Sequence, residues 1–210
     1  MSKTLIVSYT PREGSNTEKL VQTFIQETTG KSQITHVRLE RDPAPLLLEE
    51  NLNALLKRNF SGLQLTETEG SAVRSADQLL EQLQSADRIV LAFPMYNFCV
   101  PASVKAWIDA VIQNGKTFEI TDQGNYQGLC QGKKALVLMT TGSDFSQEPI
   151  KSMDFATPLI KNCMQFMGIE SKQIAAYGLN QYMHKADQII GDTQREIVDF
   201  LAQSKFLSTS

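Results

Sequence analysis

Arg88 leads into Ile89-Val90-Leu91-Ala92-Phe93, a continuous apolar run that stops abruptly at Pro94-Met95-Tyr96-Asn97-Phe98. Apolar side chains at consecutive positions, without alternation, mark a strand buried on both faces. Such a strand belongs in the middle of a parallel sheet covered by helices. Two further runs, at 4–9 and 135–140, have the same character. Weaker strands are expected at 34–39, where apolar and polar residues alternate, and at 174–178. Between them apolar residues recur at helical spacing. Leu20, Val21, Phe24 and Ile25 do so within 17–28, and Leu79, Leu80 and Leu83 near the end of a helix over 76–84. Val104, Trp107, Ile108 and Val111 do so within 103–113, and Leu159, Ile160, Cys163 and Met164 within 155–167. A last helix is expected over 187–201.

Five strands alternating with helices predict an α/β fold: a doubly wound, five-stranded parallel sheet with helices on both faces. Right-handed crossovers, with the first and third strands central, give the flavodoxin-like order 2-1-3-4-5. The 210 residues suit one domain spanning 1–210. The stretch 41–70 is long for one connection. Its leucines predict a helical excursion near the ligand or at a subunit contact.

Composition narrows the function classes. The net charge of −3 gives no basic footprint for nucleic acid or for an anionic membrane. Cys99, Cys130 and Cys163 are widely spaced and odd in number, which disfavours a zinc site or a disulfide framework. No run reaches the ~18 apolar residues of a membrane span, and no signal-peptide pattern opens the chain. A cytoplasmic protein is expected.

In a doubly wound sheet the ligand sits beyond the carboxyl ends of the strands. Three loops should therefore converge. The first, Thr10-Pro11-Arg12-Glu13-Gly14-Ser15-Asn16-Thr17, runs into a helix N-terminus, whose free amides and dipole favour an anion. It matches neither GxGxxG nor GxxxxGK[ST], so its hydroxyls and amides suit a phosphomonoester rather than a dinucleotide or a triphosphate. Simple helix capping by Ser15 or Asn16 explains the same residues. The second loop presents Met95, Tyr96, Asn97 and Phe98, which suit a flat, partly exposed ring system; an aromatic mini-core beneath a turn is the alternative. The third, Thr140-Thr141-Gly142-Ser143, offers hydroxyls and a close backbone approach, as does any generic turn. Cys99 reads as a packing residue, and His36 and His184 as surface residues.

Taken in order along the chain, the first loop, Ala86-Asp87-Arg88-Ile89-Val90, Pro94-Met95-Tyr96-Asn97-Phe98, Val100-Pro101, Lys105-Ala106-Trp107-Ile108-Asp109, Gly115-Lys116-Thr117-Phe118 and Gly132-Lys133-Lys134-Ala135 resemble the FMN-dependent NADH-azoreductase family, within the flavodoxin-like NAD(P)H:quinone reductases. The resemblance implies bound FMN, with Thr10, Ser15, Asn16 and Thr17 on its phosphate. Met95, Tyr96, Asn97 and Phe98 would then contact the isoalloxazine, and Thr140, Thr141, Gly142 and Ser143 its other edge. It also implies NADH or NADPH as co-substrate, quinones or azo compounds as acceptors and a homodimer, and one shared site for donor and acceptor predicts two-electron ping-pong transfer. No side chain is assigned as a catalytic acid or base. In many azoreductases the loop after the fourth strand resembles Ser-Arg-Gly-Gly with a nearby His. Here it continues Asp144-Phe145, with neither Arg nor His. A flavodoxin-type one-electron carrier is the rival reading, disfavoured by the length and the modest charge. An esterase lacks a GxSxG elbow.

Overall fold

The computed structural model describes residues 1–208. Its main sheet holds five parallel strands: β1 (Ser2–Ser8), β2 (Ser32–Arg38), β3 (Arg88–Pro94), β6 (Lys134–Thr140) and β7 (Glu170–Ala176), in the order β2-β1-β3-β6-β7. Counted within the sheet alone, this is the expected order 2-1-3-4-5. The three unbroken apolar runs occupy the three central positions.

Successive residues of the central strands feed opposite cores, as the two-residue period of a strand requires. Leu5, Val7, Ile89, Leu91, Val137 and Met139 face one side, where α3 (Glu67–Ser85), α4 (Ala102–Val111) and α5 (Ala156–Phe166) pack around the fully buried Trp107. Ile6, Val90, Ala92, Leu136 and Leu138 face the other side. There α1 (Asn16–Thr28) and α6 (Ala186–Gln203) cover them through Leu20, Phe24, Ile190 and Ile197.

Two features depart from the sequence reading, and a third bears it out. The last strand starts at Glu170, well before the expected 174. As an edge strand it is half in solvent, so Glu170, Lys172 and Gln173 carry no apolar signal. A β-hairpin, β4 (Phe118–Ile120) with β5 (Tyr126–Gly128), interrupts the connection between α4 and β6. Its strands are three residues long, too short to show a period. The stretch 41–70 does contain a helix, α2 (Glu49–Asn59), followed by the opening turns of α3.

Two anchors fix α2. Ala54 and Leu55 pack with Val73 in a small separate core. Arg58 donates two bonds to the Asp77 carboxylate, at 2.7 and 2.8 Å, and a third to Gln113 Oε1 at 3.0 Å. Its opposite face leaves Leu48, Leu52, Leu56 and Phe60 exposed at i, i+4 spacing.

Candidate functional site

The site is assembled from loops at the carboxyl ends of β1, β3, β6 and β7. The β1–α1 loop turns at Gly14, whose φ of +64° suits a residue without a Cβ. Ser15 then caps α1, its Oγ accepting the Glu18 N–H at 3.3 Å. Capping occupies the acceptor side of the hydroxyl and leaves its proton free to donate. Asn16 and Thr17 open the helix, where backbone N–H groups lack intrahelical acceptors, so the loop presents donors to an anion. Capping therefore does not use up the donors of this loop. The Thr17 hydroxyl meets that of Thr140 at 2.6 Å, both residues buried, and this bond ties α1 to the end of β6.

Thr10 behaves differently from its expected partners. Its hydroxyl donates to Glu18 Oε2 at 3.0 Å and its N–H to Glu40 Oε2 at 3.2 Å. Arg38 pairs with Glu18 at 3.2 Å, and Gln22 donates to the same carboxylate at 2.7 Å. Burial by itself would raise the Glu18 pKa, but the bonds from Gln22, Arg38 and Thr10 outweigh it and hold the carboxyl below its ordinary range. This network lines an open groove of ≈ 820 Å³ on the outer side of the loop.

The β3–α4 loop is a two-residue hairpin turn. Tyr96 and Cys99 exchange both backbone bonds at 3.0 Å, and the central residues Asn97 and Phe98 have φ of +46° and +69°. Two positive φ values define a type I′ turn, which Asn accepts readily and a bulky aromatic does not. Strain of order ~1–2 kcal/mol at Phe98 is held by its surroundings. Its ring stacks edge-on against buried Phe145 at 6.2 Å, and its carbonyl accepts the Phe155 N–H at 2.9 Å. Tyr96 stacks edge-on against Tyr9 at 6.1 Å, and Cys99 packs against the core as expected.

The β6–α5 loop is laced to the segment after β7. The N–H groups of Leu179, Asn180 and Gln181 donate to the carbonyls of Thr141 and Gly142 at 2.9–3.0 Å, and Gly178 donates to Ser143 at 3.1 Å. A Cβ on Gly142 would lie 2.8 Å from Asn180 Nδ2, so a larger residue here would displace the Asn180 side chain.

These loops enclose a cavity of ≈ 230 Å³. Of the expected residues, Ser15, Asn16, Thr17, Met95, Tyr96, Thr140, Thr141 and Gly142 line it. Thr10 lines the outer groove instead. Asn97, Phe98 and Ser143 support the loops without lining the cavity. The structure adds Leu179 and Asn180, which sequence reasoning missed. The turn Gly178-Leu179-Asn180 directly after the last strand was the available signal, since its neighbour in the sheet carries the third loop. Arg12 also lines the cavity.

His184 is exposed. His36 is half-buried rather than a simple surface residue, and its Nε2 shares a 2.9 Å hydrogen bond with the buried Ser8 hydroxyl. Among the described residues no cluster of side chains fits a metal ion, and no helix is long and apolar enough to cross a membrane.

The strand order, together with a cavity at the N-terminus of α1 and an aromatic turn beside it, defines a flavodoxin-like α/β protein. The family model described as "Flavodoxin-like fold" matches residues 2–201. The chain is 35% identical over 196 residues to FMN-dependent NADH:quinone oxidoreductase 2 of Bacillus anthracis, covering 90% of this chain and 93% of that protein. It is 36% identical over 185 residues to the Pseudomonas fluorescens protein of the same name, covering 86% and 89%. The crystal structure of an azoreductase from Bacillus anthracis str. Sterne superposes with a TM-score of 0.89 at 28% identity, covering 97% of this chain and all of that one. The chain thus belongs to the flavodoxin-like family of FMN-dependent NADH-azoreductases and quinone oxidoreductases.

Proposed function

We propose that the chain is a single FMN-binding domain that catalyses NAD(P)H-dependent reduction of quinones and azo compounds. The observation that carries this reading is the cavity between the α1 N-terminus and Tyr96, with donors at one end and apolar side chains at the other. Its donor set fits a phosphomonoester: the amides opening α1, the hydroxyls of Ser15 and Thr17, and the Arg12 guanidinium. Met95 and Tyr96 fit the flat ring, with Thr141 and Gly142 beside its polar edge. Thr10 acts indirectly, because Glu18 and Glu40 hold it and thereby shape the loop. Asn97, Phe98 and Ser143 complete the ring site through the geometry of their turns. A cavity below the ~300 Å³ usual for ligand sites encloses part of such a ligand and leaves the rest accessible.

Bound here, FMN would supply two-electron chemistry between NADH or NADPH and the acceptor. The protein binds, orients and stabilises charge. One shared, accessible face makes donor and acceptor alternate, which predicts ping-pong kinetics. No side chain in the cavity is placed as an obligatory acid or base, so solvent supplies the protons. The exposed apolar stripe Leu48, Leu52, Leu56 and Phe60 supports a homodimer. Three free thiols suit a reducing cytoplasm.

The test is spectroscopic. The purified protein should show a bound-flavin spectrum that bleaches directly to the two-electron form on anaerobic addition of NADH or NADPH, and recovers with a quinone. Failure to bind FMN would end this reading. Binding without reduction by either nicotinamide, with one-electron reduction persisting, would establish the carrier reading.

A further inference from the structure

The segment that follows β6 has a chemistry of its own. From Thr140 to Phe155 the chain contains three carboxylates, Asp144, Glu148 and Asp154, against one cation, Lys151, and no Arg or His. The segment folds back onto the aromatic turn of the site. The Phe155 N–H donates to the Phe98 carbonyl at 2.9 Å, and buried Phe145 receives the Phe98 ring edge-on. The turn leaves Tyr96 (44%) and Phe98 (39%) exposed, and the segment leaves Met153 (41%) and Phe155 (59%) exposed. Aromatic and thioether side chains held this way form a platform for a flat apolar molecule.

Its charge is fixed by structure rather than by chance exposure. Asp144 Oδ1 accepts bonds from the Ser146 N–H and hydroxyl at 3.0 and 2.5 Å. Asp154 accepts from the Thr157 N–H and hydroxyl at 2.8 and 2.5 Å, which anchors the start of α5. The neighbouring Tyr177 phenol is pushed up, first by burial and then by Asp154, with Asp144 adding to it.

We infer that residues 144–155 form an acceptor-selecting wall that takes neutral, polycyclic aromatic acceptors and disfavours anionic ones, such as sulfonated quinones and dyes. The inference rests on the reductase reading above and deepens it. Phe155, Met153 and Phe98 supply apolar contact, and Asp144 and Asp154 supply the discrimination. An anionic acceptor finds no cation on this wall except Lys151, and Arg12 is committed to the phosphate end of the cavity.

Redox-inert probes test this without turnover. The oxidised FMN-loaded protein is titrated with 2-naphthol and with naphthalene-2-sulfonate, at low and physiological salt, by calorimetry. The neutral probe should bind more tightly, with little dependence on salt. Binding of the sulfonate should strengthen as salt screens the carboxylates. Phe155→Ala should weaken 2-naphthol binding about three- to tenfold, the range of one aromatic contact. Asp144→Asn should tighten the sulfonate selectively. Equal affinities, or sulfonate binding that weakens with salt, would overturn the inference, as would an unchanged 2-naphthol affinity in Phe155→Ala. If Phe155→Ala instead dissociates a dimer in gel filtration, the face is a subunit contact and the inference fails. Failure to load FMN, or to bleach with NADH or NADPH, defeats the reductase reading itself. Normal loading and bleaching with equal probe affinities defeats this inference alone.

Discussion

The hydroxyls of Thr17 and Thr140 lie 2.6 Å apart, buried, and join residues separated by 123 positions. One stands in the first turn of α1 and the other ends β6. The bond holds the N-terminus of α1 in register with the loop opposite it. Thr140→Val preserves the shape and leaves the Thr17 hydroxyl unpaired. We expect a loss of about 1–3 kcal/mol in urea denaturation, the usual cost of an orphaned buried hydroxyl. FMN affinity should weaken in parallel in a fluorescence titration. An unchanged midpoint would show that the bond contributes nothing.

Asn97 sits at φ +46° in the tight turn. Asn97→Ala should destabilise the protein by about 1 kcal/mol, because alanine lacks the local hydrogen bonding that eases this conformation. Asn97→Gly should stay within a few tenths of wild type. Thermal midpoints of the two variants decide whether the turn geometry, rather than the side chain, is what position 97 supplies.

A Cβ on Gly128 would fall 2.2 Å from Gly168 N and 2.4 Å from the Met167 carbonyl carbon. Backbone on both sides prevents a cheap adjustment. Gly128→Ala should therefore cost about 3 kcal/mol, at the upper end for overpacking. The β4–β5 hairpin packs on the end of α5 at this point, so hydrogen exchange should rise first over 118–130.

Acid should destabilise the fold in two stages. Burial, with help from Arg38, lowers the His36 pKa against the opposing pull of Glu18 and Glu40. The folded state then binds fewer protons than the unfolded one, whose histidine titrates near ~6.5, so stability falls as pH drops below that value. Glu18, also lowered, contributes stability above about pH 4.3 that is lost as pH falls through its folded pKa. His36→Gln should flatten the first stage and Glu18→Gln the second, in denaturation midpoints measured from about pH 7 to 3, a range that spans both unfolded values. A profile unchanged in both variants would count against this assignment.

What the sequence determined by itself was the sheet and the meeting of its loops. Strands buried on both faces carry runs of consecutive apolar residues, so β1, β3 and β6 were legible from local composition. Parallel topology then obliged the loops at 10–17, 94–98 and 140–143 to share one edge. Features without a local signature were left to the tertiary structure. The edge strand β7 starts in polar residues, because solvent satisfies its outer surface. The hairpin at 118–128 is too short to show a period. Asn180 enters the site only because β7 lies beside β6 and Gly142 leaves room for it. Thr10, alike in type to Ser15 and Thr17, turns to the opposite groove because Glu18 and Glu40 reach it from α1 and from beyond β2. Which of several similar hydroxyls faces a site depends on partners distant in the chain, and only the packed fold brings those partners together.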